Sequence, residues 1–462
     1  MKEELSFSSL PLRPELLNNL LSLNYHQMTP IQAQSLPLML MNHDIIAQAQ
    51  TGSGKTVAFG LAALQNLKID CLQPQTLIIC PTRELAEQVS QVLRSLARRL
   101  PNIKILNLSG GLAFRPQSDS LRHGAHVIVG TPGRILKHLD KKTLLLSNVS
   151  TVVLDEADRM LDMGFIDAMK QVLRYCPSKR QTLLFSATFT PPIKQLAKEF
   201  MKEPQEITVE EEKTVQDIEQ KFLEVEHPSD KYNRLKKILV HYNPSATLIF
   251  CNTKEKTQEL SSQLNQDGFS ATVLNGDLEQ AERDQAIIQF SNHSRRILVA
   301  TDVAARGLDI KELPAVINFD LAFEPEVHVH RIGRTGRAGH KGLAISITTP
   351  KDAERLCALE DLMSQNLIWL SSDEFSTASS QKLPPKMVTL RLMAGRKDKI
   401  RAGDILGALT KDAGLESSAI GKIDILNLHA YVAIEQNFVK KAYTHFQNGK
   451  IKGKKVGVEC LT

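Results

Sequence analysis

No stretch of the 462-residue sequence comes near the roughly 18 to 20 consecutive apolar residues that cross a bilayer. The longest apolar runs, such as Leu36 to Met41 and Val127 to Val129, are far shorter. Cysteine is sparse and scattered: Cys71, Cys80, Cys176, Cys251, Cys357 and Cys460 form no CxxC pair, which argues against a zinc site or a disulfide framework and for reduced, mostly buried thiols. The opening Met-Lys-Glu-Glu lacks the basic-then-apolar order of a secretory signal. A cytoplasmic chain with no membrane partner is expected. Neither low hydrophobicity nor charge excess is present either. With 42% hydrophobic and 23% charged residues the chain is expected to fold compactly, and its length allows two to four domains.

The net charge of +6 becomes informative once it is located. From Lys386 to the end there are 14 Lys and Arg against 7 Asp and Glu, whereas Met1 to Pro385 holds 43 against 44. All the positive excess sits in the last sixth. A basic terminal module of this kind points to a polyanionic partner, although such charge is also compatible with a solvated face.

Strand-like and helix-like runs alternate from Thr76 to Ser186 and again from Thr247 to Thr348, the pattern of βαβ units and parallel, doubly wound sheets. The expected division is two α/β domains over residues 1–205 and 206–365, a Ser-rich linker over 366–385 ending in paired prolines, and a basic domain over 386–462. This last domain reads as βαββαβ, with apolar alternation at Val388, Leu390 and Leu392 and a helical segment over Ile400 to Ala413.

Chemistry concentrates in two places. Ala49-Gln-Thr-Gly52-Ser53-Gly54-Lys55-Thr56 follows an apolar run and opens a helix, so its backbone N–H groups can surround phosphates; Lys55 would reach the β- and γ-phosphates and Thr56 would ligate Mg²⁺. Val152-Val-Leu-Asp155-Glu156-Ala157-Asp158 is an apolar strand ending in carboxylates. There Asp155 is placed to hold Mg²⁺, directly or through water, and Glu156 to accept a proton from the attacking water. ATP and Mg²⁺ are the cofactors so implied.

Asp-Glu-Ala-Asp together with AQTGSGKT resembles the DEAD-box RNA helicases, and the family's other motifs appear in order. They are Thr29-Pro-Ile-Gln32, Pro81-Thr82-Arg83-Glu-Leu85, Gly110-Gly111, Thr131-Pro-Gly-Arg134, Ser186-Ala-Thr188, Leu248-Ile-Phe-Cys-Asn252, Gly276-Asp277 through Gln280 and Arg283, Ala300-Thr301-Asp302, Ala305-Arg-Gly-Leu-Asp309 and His330-Arg-Ile-Gly-Arg334-Thr-Gly-Arg337. The resemblance covers residues 1 to about 365. Asn24 stands where the family usually has Gly, and Met28 where it has Pro. It implies two RecA-like domains, with Gln32 reading adenine, Tyr25 packing on the base and Asp309 on the ribose. It also implies RNA contacts through Thr82, Arg83, Gly111, Thr131, Arg134 and Thr301, and coupling of hydrolysis to strand separation through Ser186, Thr188 and His330. A Gln amide can both donate to and accept from an adenine edge. Arg334 and Arg337, carried by the other domain from the phosphate loop, would neutralise the γ-phosphate only on domain closure, tying hydrolysis to that closure.

Phosphate and 2′-hydroxyl contacts carry little sequence information, so specificity is expected from the basic tail. Its βαββαβ order resembles an RNA-recognition motif, and Arg401 to Thr410 with Ala430 to Ile434 resembles the tail of the DbpA subfamily. That resemblance implies a hairpin of 23S ribosomal RNA in a large-subunit precursor as the partner. The sheet-face positions Thr389, His429 and Tyr431 include one true aromatic, so the cations, among them Arg391, Lys397, Arg401 and Lys452, are expected to supply much of the binding. The expectation is a monomeric, RNA-stimulated ATPase that separates short duplexes; an ATP-gated RNA clamp whose hydrolysis times release is the rival from another class.

Overall fold

The computed structural model describes residues 6–48, 53–209, 218–305, 313–336, 342–363, 366–371 and 384–461. Gly52, Asp309 and Arg337 lie outside them. The described residues divide into two compact units, one up to residue 209 and the other from residue 218 onward.

The first unit is built on seven parallel strands: β1 (Ile45–Gln48), β2 (Thr76–Ile79), β3 (Ile105–Leu108), β4 (Val127–Gly130), β5 (Thr151–Leu154), β6 (Gln181–Ser186) and β7 (Gln205–Thr208). Their order is β3-β4-β2-β5-β6-β1-β7. Runs such as TLII, VIVG and TVVL are apolar at nearly every position because helices cover both faces of a parallel sheet. Ile45, Ile78, Val129, Val153 and Phe185 pack against Leu16, Ile31, Phe59 and Leu93 on one side. Ile46, Ile79, Ile128, Val152 and Leu184 meet Ile135, Val172 and Leu196 on the other. Each such fully buried side chain contributes on the order of 1.5–3 kcal/mol. The strand β7 pairs with β1, so the first sheet runs three residues beyond the expected boundary at 205.

The second unit holds six parallel strands, β8 (Ile218–Glu224), β9 (Thr247–Phe250), β10 (Ala271–Leu274), β11 (Ile297–Ala300), β12 (Ala315–Asn318) and β13 (Gly342–Thr348), in the order β10-β11-β9-β12-β13-β8. The expected linker does not begin at 366. Phe222 donates its N–H to the Ile368 carbonyl and accepts from Leu370 N–H, both at 2.8 Å, so Ile368–Leu370 lies along the open edge of β8. Leu370 is buried in the core beneath.

The same unit includes the basic domain, an antiparallel sheet of β14 (Met387–Leu392), β15 (Ile420–Ile425), β16 (Ala430–Glu435) and β17 (Val458–Leu461) in the order β15-β16-β14-β17. Period-two alternation sends Leu390, Leu392, Val432 and Ile434 to one face, where they pack on Ile405, Leu409, Ala442 and Phe446 of the two helical segments.

Candidate functional site

The phosphate loop meets the helix Lys55–Gln65 at Gly54, whose φ of +96° is left-handed backbone that favours glycine. A methyl group there would also lie 2.6 Å from Gln32 Nε2 and 2.9 Å from Thr29 Oγ1. Those two side chains fasten the loop: Thr29 Oγ1 donates to Ser53 O at 2.7 Å and Gln32 Nε2 to Gly54 O at 3.1 Å. Gln32 Oε1 in turn accepts from Thr29 N–H at 2.9 Å, closing the cap of the helix Pro30–Leu40. Gln32, read from the sequence as an adenine contact, is therefore buried and holds the phosphate loop in place; Tyr25 is exposed nearby in the chain. Lys55 is buried as the first residue of its helix, followed by Thr56.

The strand β5 delivers the carboxylates. Asp155 is buried, and its Oδ1 has no hydrogen-bond partner among the described residues. Burial raises its pKa to about 6, opposed by the charge of Lys55 and reinforced by Glu156. An orphaned carboxylate oxygen within the field of the phosphate-loop lysine fits a cation held jointly by Asp155, Thr56 and phosphate oxygens. Glu156 adopts left-handed backbone, φ +55°, and its Oε2 lies 2.6 Å from Arg159 Nη1. Asp158, which the sequence reading left without a role, accepts from the backbone N–H groups of Ala187 and Thr188 at 2.9 and 3.0 Å. The carboxylate strand is thus tied directly to the Ser186-Ala-Thr188 loop, where Ser186 Oγ donates to Thr188 O at 2.6 Å.

A second group of expected residues gathers beyond β2, β3 and β4. Thr82 caps the helix Arg83–Leu96, accepting from Leu85 N–H at 3.2 Å, so its hydroxyl is turned inward. Arg83 lies over Gly110, where an added methyl group would sit 3.1 Å from the guanidinium. Gly111 has φ +77°. Arg134, behind the helix-starting Thr131, donates to Leu112 O at 2.9 Å. Burial and the neighbouring Arg83 charge both lower the Arg134 pKa. Two guanidinium groups held in one another's field beside a glycine turn make a natural seat for a phosphodiester.

In the second unit the residue the sequence reading overlooked is Arg331. Its side chain is fully buried, and it donates from Nε and Nη2 to Asp302 at 2.6 and 2.7 Å, from Nη2 to Asn252 Oδ1, and from Nη1 to Asn318 Oδ1 and Asp320 O. Arg331 thereby locks three loops together, with Thr301 buried beside Asp302 and His330 and Arg334 flanking it in the chain. Its place in the Arg-rich motif was readable; its burial was not.

The basic domain departs from expectation on its sheet face. Tyr431 is 2% exposed and Thr389 is fully buried, so no base can stack there in this arrangement. The face rests on the helix Gln280–Ser291 and the turn after it. Asn292 Nδ2 donates to Thr389 Oγ1 at 2.8 Å, Ser294 Oγ lies 2.6 Å from the same atom, and Arg391 is bound to Glu459 and to Gln285 Oε1. A face with few rings and several small or hydroxyl side chains fits closely against a helix, which is why Tyr431 and Arg391 are not presented as the sequence suggested. Lys397, Arg401 and Lys452 are exposed instead. Lys452 Nζ donates to Lys399 O at 3.3 Å and lies 3.6 Å from Asp404, which brings the turn 450–455 to the loop 396–401 and gathers these cations at one end of the domain.

Family models for a DEAD/DEAH box helicase, a helicase conserved C-terminal domain and a DbpA RNA-binding domain match residues 29–196, 230–339 and 389–460. The chain is 50% identical over 457 residues to the ATP-dependent RNA helicase DbpA of Escherichia coli K12, covering 99% of each. It is 44% identical over 357 residues to the DEAD-box helicase CshA of Bacillus subtilis, covering 77% of this chain and 72% of that one. Among solved structures, Saccharomyces cerevisiae Dbp5 bound to RNA and ADP BeF3 matches with a TM-score of 0.72 at 33% identity, over 80% of this chain and 97% of that one.

Proposed function

This chain belongs to the DEAD-box family and is an ATP-dependent RNA helicase, an RNA-stimulated ATPase, and on that footing we propose that it opens short duplexes in precursor 23S ribosomal RNA, addressed there by its basic C-terminal domain. The observation that carries this reading is the cluster of exposed Lys397, Arg401 and Lys452 at one end of a domain whose sheet face is covered by the helix Gln280–Ser291 and the turn after it. A hairpin held at that cluster raises the local concentration of neighbouring duplex for the core, without any sequence readout by the core itself.

In this mechanism the phosphate loop and Lys55 bind the triphosphate of ATP. Thr56 and Asp155 would hold Mg²⁺, which when bound would supply neutralisation of the charge that develops on the phosphoryl oxygens. Glu156 accepts the proton of the attacking water, its carboxylate oriented by Arg159. Asp158 carries the state of the carboxylate strand to the Ser186–Thr188 loop through its two backbone hydrogen bonds. Arg334 and Arg337 stabilise the transition state, Asp309 binds ribose, His330 joins the coupling loop, and Arg83, Gly111, Arg134, Thr131 and Thr301 grip RNA backbone. On this reading the protein works as a cytoplasmic monomer.

ATPase activation of the full chain tests the targeting. A 23S fragment containing its hairpin is expected to reach half-maximal activation at a concentration at least about tenfold below that of an unrelated hairpin, with binding that weakens steeply as salt rises. Equal activation by the two RNAs would refute rRNA targeting while leaving the helicase assignment intact.

A further inference from the structure

Behind the Arg83 and Arg134 surface lies a buried polar network that none of the assigned motifs contains. Gln117, on the helix Phe114–Arg122, is 7% exposed and sits at its centre. Its Nε2 donates to Ser109 O at 3.0 Å, while its Oε1 accepts from Arg134 Nη1 at 2.8 Å and lies 3.1 Å from His138 Nε2. Because Arg134 can only donate, the amide oxygen must face it, and the orientation of Gln117 is fixed. The same oxygen then requires a proton on His138 Nε2, leaving Nδ1 as an acceptor facing the Thr143 hydroxyl 2.8 Å away, whose proton it shares with the His138 carbonyl at 3.1 Å. His138 is fully buried and stacked on Phe114 with centroids 4.2 Å apart. Burial, with the charges of Arg134 and Lys137 added, lowers its pKa to about 4, so it remains the neutral, singly donating ring at physiological pH.

The consequence is geometric. Arg134 and the Ser109–Leu112 loop belong to different motifs that follow different strands, and they are joined twice, by Gln117 bonding to Ser109 O and Arg134, and by Arg134 Nη2 donating to Leu112 O. We infer that Gln117, held by His138, is a positioning residue for RNA binding: it aims the Arg134 guanidinium and fixes the Gly110-Gly111 turn so that both meet the same stretch of RNA backbone. Neither side chain touches RNA. The inference rests on the reading of Arg134 and Gly111 as RNA contacts.

Three variants of the full chain test it: Gln117→Leu, which keeps volume and removes every hydrogen bond; His138→Phe, which keeps the stack on Phe114 and removes the ring donor; and Arg134→Ala. ATPase rate is measured against RNA concentration for each, alone and for the Gln117→Leu/Arg134→Ala pair, with fluorescent ADP affinity and melting temperature alongside. Gln117→Leu is expected to raise the RNA KM about tenfold or more, the scale of a lost hydrogen bond to a charged group, with kcat at saturating RNA and ADP affinity within about twofold of the parent. His138→Phe is expected to raise the RNA KM in the same direction by a smaller factor. The pair is expected to be no worse than about twofold beyond Arg134→Ala, because Gln117 acts through that residue and its loop. If Gln117→Leu does not fold, His138→Phe carries the test. An RNA KM within twofold of the parent for the folded variants, or a fully multiplicative pair, would overturn the inference while Arg134→Ala still raised KM. If Arg134→Ala itself left KM unchanged, the RNA-contact reading would fall and the inference with it.

Discussion

Replacing Glu156 with Gln is expected to reduce RNA-stimulated ATP hydrolysis by a factor on the order of 10² to 10⁴, with RNA and ADP binding retained. The side chain is buried, set in left-handed backbone at the end of β5 and held 2.6 Å from Arg159. The amide keeps that shape and leaves an oxygen for Arg159 to approach, but it has no basic oxygen to take a proton from water. Steady-state ATPase at saturating RNA, with equilibrium binding of RNA and a fluorescent ADP, separates the two effects. Hydrolysis at the parental rate would remove Glu156 from the chemistry.

Replacing Arg331 with Met is expected to destabilise the second unit by about 3–5 kcal/mol, the usual consequence of stripping one partner from a buried ion pair. Met fills much of the volume but satisfies none of the acceptors that Arg331 serves on Asp302, Asn252, Asn318 and Asp320. A drop of roughly 10 °C in the melting temperature of that unit follows. Arg331→Lys should recover little of it, since one ammonium cannot reproduce a planar fork addressing several acceptors at once. Calorimetry of the full chain measures this directly. A melting temperature within 2 °C of the parent for Arg331→Met would show that the five hydrogen bonds do not hold the three loops.

The contrast between these two residues marks what the sequence makes legible. Glu156 follows a run of apolar β-formers and a P-loop lies upstream; both are local patterns whose chemistry dictates residue type at fixed spacing. The parallel sheets were readable for the same reason, as was the βαββαβ order of the basic domain. Arg331 sits in an equally recognisable motif, but its role depends on Asn252, Asn318 and Asp302 arriving from other strands, and no spacing along the chain encodes that. Gln117 and His138 are further removed, single residues on two helices with no surrounding pattern. The burial of Tyr431 is not legible in the sequence, because an alternating strand shows which side chains share a face, not whether that face meets solvent or a neighbouring helix. The strands β7 and Ile368–Leu370 escaped notice because a short edge pairing is fixed by the open edge it finds, not by its own composition.

The targeting of a sequence-indifferent core by a basic end of its C-terminal domain is tested most directly by the triple variant Lys397→Ala, Arg401→Ala, Lys452→Ala in the full chain. These side chains are exposed and are not among the residues of the domain's apolar core or of its contact with Asn292 and Ser294, so both are left in place. The measurement is strand separation of a short duplex, once adjoining the 23S hairpin and once adjoining an unrelated hairpin, as a function of RNA concentration. The parent is predicted to unwind the first at far lower concentration, and in the variant the two substrates are predicted to become equivalent. A variant that kept the parental preference for the 23S hairpin would contradict the account and place RNA selection elsewhere in the molecule.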